Sequence, residues 1–191
     1  MAPVNWFRPP ADGDPGTLNA CYEALDIHVV RGRADDVAAT VGGQERTFAW
    51  LLTEVAACAG VLRAFGVGLG DRVVVGELSP EHHLVVPLAV ARVGALAAYD
   101  DSAGAEGKVR VDASGFAVDG DEVPWDVAMR AGRTDPAGCA DVPGDSVLAT
   151  HGDDVLTLLE AVGEAGHPAS APDGAALVEV GGVRFWVFGT P

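Results

Sequence analysis

The most constraining feature of this 191-residue chain is a short apolar strand, a helix and a second short strand in immediate succession. Arg72 to Val75 is a run of β-branched residues and reads as the first strand. Ser79 then offers a cap and Pro80 a first helical position for a helix predicted to run to Val93, bent at Pro87. After Gly94, Ala95 to Tyr99 reads as the second strand. Two strands joined through a helix lie parallel, and the crossover covers one face of their sheet. The fold class that follows is α/β, a partly parallel sheet flanked by helices.

The elements on either side fit that scheme. Thr17 is placed to cap a helix whose apolar residues Leu18, Tyr22, Leu25 and Val29 recur at helical spacing before Gly32. Val37 to Val41 and the segment around Arg46 to Phe48 flank Gly42-Gly43, which predicts a small hairpin. From Thr47 a second helix carries Phe48, Leu51, Leu52, Val55, Cys58, Ala59, Leu62 and Phe65 on one stripe, closed by Gly66. Further on, Val109 to Asp112 reads as a strand, Pro124 to Met129 as a short helix, Ser146 to Thr150 as a strand and Asp153 to Ala165 as a helix. Leu177 to Val180 and Val183 to Phe188, joined by Gly181-Gly182, predict a C-terminal β-hairpin. An Ala/Gly/Asp-rich linker occupies 101–107. Residues 1–16 form a Pro/Gly-rich lead, and 17–191 have the length of one domain.

Composition narrows the function. Twelve basic against twenty-eight acidic residues give a net charge of −16, a surface that repels nucleic-acid phosphates and anionic headgroups. Hydrophobic residues make up 49%, enough to offset the entropy of ordering the chain. The longest apolar run, near Leu84 to Ala91, contains Pro87 and is too short to span a bilayer, and the first ten residues lack the apolar stretch of a secretion signal. Cys21, Cys58 and Cys139 show neither paired nor metal-ligand spacing, so neither a disulfide framework nor a metal site is expected, and a reducing cytoplasm fits best.

Several motifs together carry a resemblance. Asn19-Ala20-Cys21-Tyr22 with Asp26 and His28, Gly66 with Gly70-Asp71-Arg72-Val73, and Pro80-Glu81 with Ala91-Arg92 and Gly94-Ala95 resemble the N-terminal subdomain of AMP-forming acyl-CoA synthetases, above all the acetyl- and propionyl-CoA branch. The resemblance covers residues 17–99, with a thinner match from Val123 to Thr150. It implies an enzyme that joins a carboxylic acid to ATP, releases pyrophosphate and passes the acyl group to coenzyme A. Backbone N–H groups of a Gly/Ser/Thr loop resembling TSGTTG, with a nearby lysine, would hold the phosphates.

At the corresponding place this chain reads Val147-Leu148-Ala149-Thr150-His151-Gly152-Asp153-Asp154, which keeps one Thr and one Gly and has no lysine. Asp153 and Asp154, at the start of the predicted helix, would occupy the position an anion prefers. The one lysine, Lys108, matches no catalytic lysine of the family. Where the family carries coenzyme-binding arginines after the strand equivalent to Val109–Asp112, residues 113–121 contain Asp119 and Asp121. The expectation from the resemblance is that none of these 191 residues corresponds to the family's C-terminal domain.

The expectation is therefore a non-catalytic synthetase-like domain acting as a binding, regulatory or interaction module, with no catalytic residue, cofactor or metal. Its partner would be a second copy of itself or a full-length synthetase. Two other readings stand beside it: a split or residual subunit that binds an acyl or nucleotide ligand, and a vestigial structural protein. Strand C-termini in open α/β sheets face the ligand crevice, so candidate crevice residues are Ser79, Pro80, Glu81, Tyr99, Thr150, His151 and Gly152. His82-His83 lack metal-ligand spacing, and Gly66 to Gly70 follows a helix where a dinucleotide loop would follow a strand. The apolar strand Val183 to Phe188 fits equally a buried strand of the monomer and an edge open to another chain.

Overall fold

The computed structural model describes residues 4–99 and 107–189. In chain order it contains β1 (Thr17–Leu18), a π-helical turn (Tyr22–Asp26) running into α1 (Ile27–Val30), β2 (Val37–Val41), β3 (Gln44–Thr47), α2 (Phe48–Ala64), β4 (Arg72–Val75), α3 (His82–Arg92) and β5 (Leu96–Ala98). These are followed by β6 (Val109–Asp112), β7 (Gly115–Val118), β8 (Asp121–Pro124), α4 (Trp125–Gly132), β9 (Val142–Pro143), β10 (Val147–His151), β11 (Asp154–Thr157), α5 (Leu158–Val162), β12 (Ala175–Val180) and β13 (Val183–Phe188).

The main sheet has seven strands in the order β11-β10-β5-β4-β6-β7-β8. Its centre is parallel: β4 pairs with β5 and with β6, and β10 pairs with β5. Val73, Val109 and Val111 are buried in this centre. A strand buried on both faces needs apolar residues at successive positions, which is why β4 reads as an unbroken β-branched run from Val73 to Val75, whereas β6 alternates buried Val109 and Val111 with half-buried Arg110 and Asp112. Both margins turn antiparallel, through β6-β7-β8 on one side and β10-β11 on the other.

Helix α2 packs against α3 and α4. The approach to α4 is close enough that a Cβ on Gly132 would stand 2.1 Å from the Ala57 carbonyl oxygen, so only glycine fits there. Strands β12 and β13 form their own two-stranded sheet, and β13 packs on α3 and α5 with Phe185, Trp186 and Val187 buried. The Trp186 indole N–H donates to the Ser170 carbonyl at 2.7 Å. The β12–β13 turn is seated on the first helix, where a ring nitrogen of His28 bonds the Gly181 carbonyl at 2.9 Å. The apolar tail strand is thus core of the monomer, although it lies outside the main sheet.

Four expectations need correction. Thr17 is not the cap of the first helix: it belongs to β1, and the Asn19 carboxamide oxygen accepts from the backbone N–H groups of Cys21 and Tyr22 at 2.9 and 3.2 Å. Ser79 does not cap α3, which starts three residues later; its hydroxyl bonds His82 Nδ1 at 2.9 Å. Residues 113–121, read as acid in the place of the family's coenzyme-binding arginines with no strand assigned, contain β7 and the Asp119-Gly120 turn into β8. The helix predicted from Asp153 is a strand first: β11 precedes α5, which begins at Leu158. Most of the linker read at 101–107 falls outside the described residues.

Candidate functional site

The expected crevice residues fall into two separate places. Strands β4, β5 and β10 run parallel and end side by side, and beyond their carboxyl ends lies a cavity of about 340 Å³ lined by Val75, Gly76, Glu77, Tyr99, His151, Phe188 and Gly189. Of the crevice residues, Tyr99 and His151 line it. Thr150 supports them, since its carbonyl accepts the Tyr99 backbone N–H at 2.9 Å, while its hydroxyl is buried without a hydrogen-bond partner. Gly152 lies in the turn beyond His151, at a positive φ of 57°.

The tail closes over this cavity. The Phe188 ring lies 4.7 Å, centroid to centroid, from both the Tyr99 and the His151 rings. The Tyr99 hydroxyl donates to the Trp186 carbonyl at 3.1 Å. Burial pushes the Tyr99 pKa up, so the phenol remains a neutral donor. Behind Gly189 sits His83, buried, with no well-formed hydrogen bond to either ring nitrogen. Burial lowers its pKa against a weaker opposing pull from the Leu78 backbone. The aromatic rings, the His151 imidazole and Glu77 give this cavity a lining that suits a small ligand with apolar and hydrogen-bonding parts better than a polyanion.

Ser79, Pro80 and Glu81 face elsewhere. Glu81 and His82 line a second cavity, of about 460 Å³, between α2, α3 and α4. The His82 ring stacks on Trp125 at 3.9 Å and 18°, and burial lowers its pKa despite Glu81 and Glu54. The charged groups here are already paired with one another: Arg46 with Glu81 at 3.3 Å and Arg133 with Glu54 at 2.7 Å. Pro80 abuts the Gly42 turn of the β2–β3 hairpin. Sequence reasoning missed Glu77 and Phe188 at the first cavity; Glu77 follows directly on the strand end, and its position was the available signal.

The segment in the place of a phosphate loop is a tight hairpin. His151 pairs directly with Asp154, leaving only Gly152 and Asp153 as the turn. Asp153 and Asp154 therefore do not sit at a helix start, which corrects the expected electrostatics there. The N-terminus of α5 caps itself: the Thr157 hydroxyl accepts from the Glu160 N–H at 3.3 Å, and the Glu160 carboxylate accepts from the Thr157 N–H at 2.8 Å. Lys108 is engaged as well, donating to Asp71 at 2.9 Å; that bond, together with one from the Gly68 N–H, holds the Asp71 carboxyl below its ordinary pKa.

The fold has a counterpart among solved structures. The solved structure of the anthranilate CoA ligase AuaEII in complex with anthranoyl-AMP matches 70% of this chain and 31% of its own with a TM-score of 0.54, at 16% identity. The fold is thus similar to that of about a third of this CoA ligase.

Sequence relatives narrow this. The acetyl-coenzyme A synthetase of Rhodopirellula baltica is 36% identical over 115 residues, which cover 49% of this chain and 17% of the relative. That of Streptomyces coelicolor is 35% identical over 99 residues, covering 48% and 15%. The human mitochondrial acyl-CoA synthetase short-chain family member 3 is 36% identical over 87 residues, covering 42% and 13%. No family model matches the chain. Just under half of this chain is thus similar in sequence to acetyl-coenzyme A synthetases and a short-chain acyl-CoA synthetase, and the chain spans about 17% or less of the length of these relatives. Among the described residues, no helix is long and apolar enough to cross a membrane.

Proposed function

We propose that this chain is an acyl-CoA-synthetase-like domain that serves as a binding or interaction module and does not itself activate a carboxylate with ATP. The observation that carries this reading is the β10–β11 connection. Adenylation needs several backbone donors converging on phosphates, with a cation to offset the charge that develops in the transition state. A turn of Gly152 and Asp153 offers a carboxylate in their place, and the pairing of His151 with Asp154 leaves no slack for a longer loop. Lys108, bound to Asp71, supplies no cation there. Cytoplasmic residence is part of the proposal, supported by three free cysteines.

A split or residual subunit is the second reading, and the cavity beside Tyr99 and His151 favours it: a small acyl or nucleoside part fits its volume even though a triphosphate does not fit its charge. Calorimetry with ATP, AMP and coenzyme A separates the two readings. The module reading predicts no binding of any of the three in the micromolar range, whereas tight binding of AMP or coenzyme A supports the subunit reading. The partner we propose is a second copy or a complete synthetase. Sedimentation over a concentration series and capture of a purified acetyl-CoA synthetase test this, and a strict monomer that captures none counts for a vestigial protein.

A further inference from the structure

Cys21 and Cys139, distant in sequence, meet in space: their sulfur atoms and an oxygen of Asp26 all lie within 4.8 Å of one another. Cys21 is fully buried in the first turn of the first helix, and Cys139 is half-buried in the loop between α4 and β9. The backbone on both sides is clamped. Asn19 donates to the Ala140 carbonyl at 2.9 Å, and Arg92 Nε donates to the Ala137 carbonyl at 2.7 Å. Arg92 Nη1 also reaches Cys21 Sγ at 3.4 Å, and Cys139 Sγ lies 3.7 Å from Asp26 Oδ2. Three such ligand atoms would suit a cation, but both Asp26 oxygens are taken by Arg92, at 2.7 and 3.0 Å, and a guanidinium already stands where the cation would. Cys58 is buried on α2.

We propose that Cys21 and Cys139 form a redox pair that a peroxide closes into a disulfide, a covalent staple between the first helix and the 133–141 loop. Cys139, the more accessible sulfur, attacks a peroxide oxygen. The O–O bond breaks, a sulfenic acid forms on Cys139, and the departing hydroxide takes the thiol proton as water. Cys21 sulfur then attacks the sulfenic sulfur. The S–S bond forms as the S–O bond breaks, and the second hydroxide leaves as water with the Cys21 proton. Two thiols and one hydrogen peroxide thus give one disulfide and two waters. Arg92 assists by offsetting charge on the Cys21 sulfur as its proton leaves. The neighbouring Cys21 thiol, followed by burial, holds the Cys139 pKa well above its ordinary value.

The test treats the full chain with hydrogen peroxide, alkylates it under denaturing conditions and maps its peptides without reduction. A linked Cys21–Cys139 peptide is expected, with alkylatable thiols falling from three per chain to one, Cys58, and dithiothreitol restoring all three. In Cys139→Ser, Cys21 should remain alkylatable after the same treatment. The proposal is overturned by three surviving thiols, by Cys139 over-oxidised or bridged between chains while Cys21 stays free, or by loss of the Cys21 thiol in Cys139→Ser.

Discussion

The Tyr99 hydroxyl, at the end of the parallel sheet, donates to the backbone carbonyl of Trp186 in the tail hairpin, 3.1 Å away. This bond ties the lid of the cavity to the strand that forms its floor. In Tyr99→Phe the hydroxyl is lost and the Trp186 carbonyl stays buried, so chemical denaturation should show a loss of about 1–2 kcal/mol. A ligand of the cavity, if one binds, should dissociate faster from this variant.

Trp186 is 2% exposed and hydrogen-bonded through its indole. A carboxylate at that position has no water and no partner, so Trp186→Asp should unfold the chain rather than only separate one copy from another. Trp186→Ala should cost about 3–5 kcal/mol. Circular dichroism and sedimentation together check this; a folded Trp186→Asp monomer would place the residue at an interface.

Arg92, buried between α3 and the first helix, is held by Asp26 through two bonds. Asp26→Asn removes the countercharge and leaves the guanidinium in place, and a loss of about 3–5 kcal/mol is expected in urea unfolding. The double variant Asp26→Asn with Arg92→Met should recover part of it.

Glu160 gives a pH signature. Burial alone would raise its pKa, but hydrogen bonds from the Thr157 backbone and hydroxyl, aided by His167, outweigh burial and hold it below the ordinary carboxylate value. A carboxyl with a depressed folded pKa contributes stability that is present above its unfolded pKa, about 4.3, and is lost as pH falls through the folded value. Glu160→Gln should therefore be less stable than the parent at pH 7, and the gap should narrow below pH 4. Thermal melts at several pH values measure it.

The crossover unit was legible because its signals are local: the β-branched run at Val73 to Val75 and the glycine after α3 lie within the elements they define. Where the reading failed, a competing local signal was stronger than the one noticed. Asp153, Asp154 and Val155 resemble the opening of an amphipathic helix, yet Val155 is 47% exposed in β11. The Thr157-x-x-Glu160 capping box was the better marker of the true start. Asp119-Gly120 likewise has turn chemistry suited to the hairpin it makes between β7 and β8. The meeting of Cys21 with Cys139, and of Phe188 with Tyr99, follows from chain packing over long separations, which no local pattern encodes.

Carboxylate-dependent exchange of pyrophosphate into ATP tests the central claim most directly. With acetate and propionate as acids and magnesium present, the purified chain should show no exchange above a protein-free control. Exchange that depends on both the acid and the chain would contradict the account, because the hairpin at Gly152-Asp153 would then be holding a triphosphate.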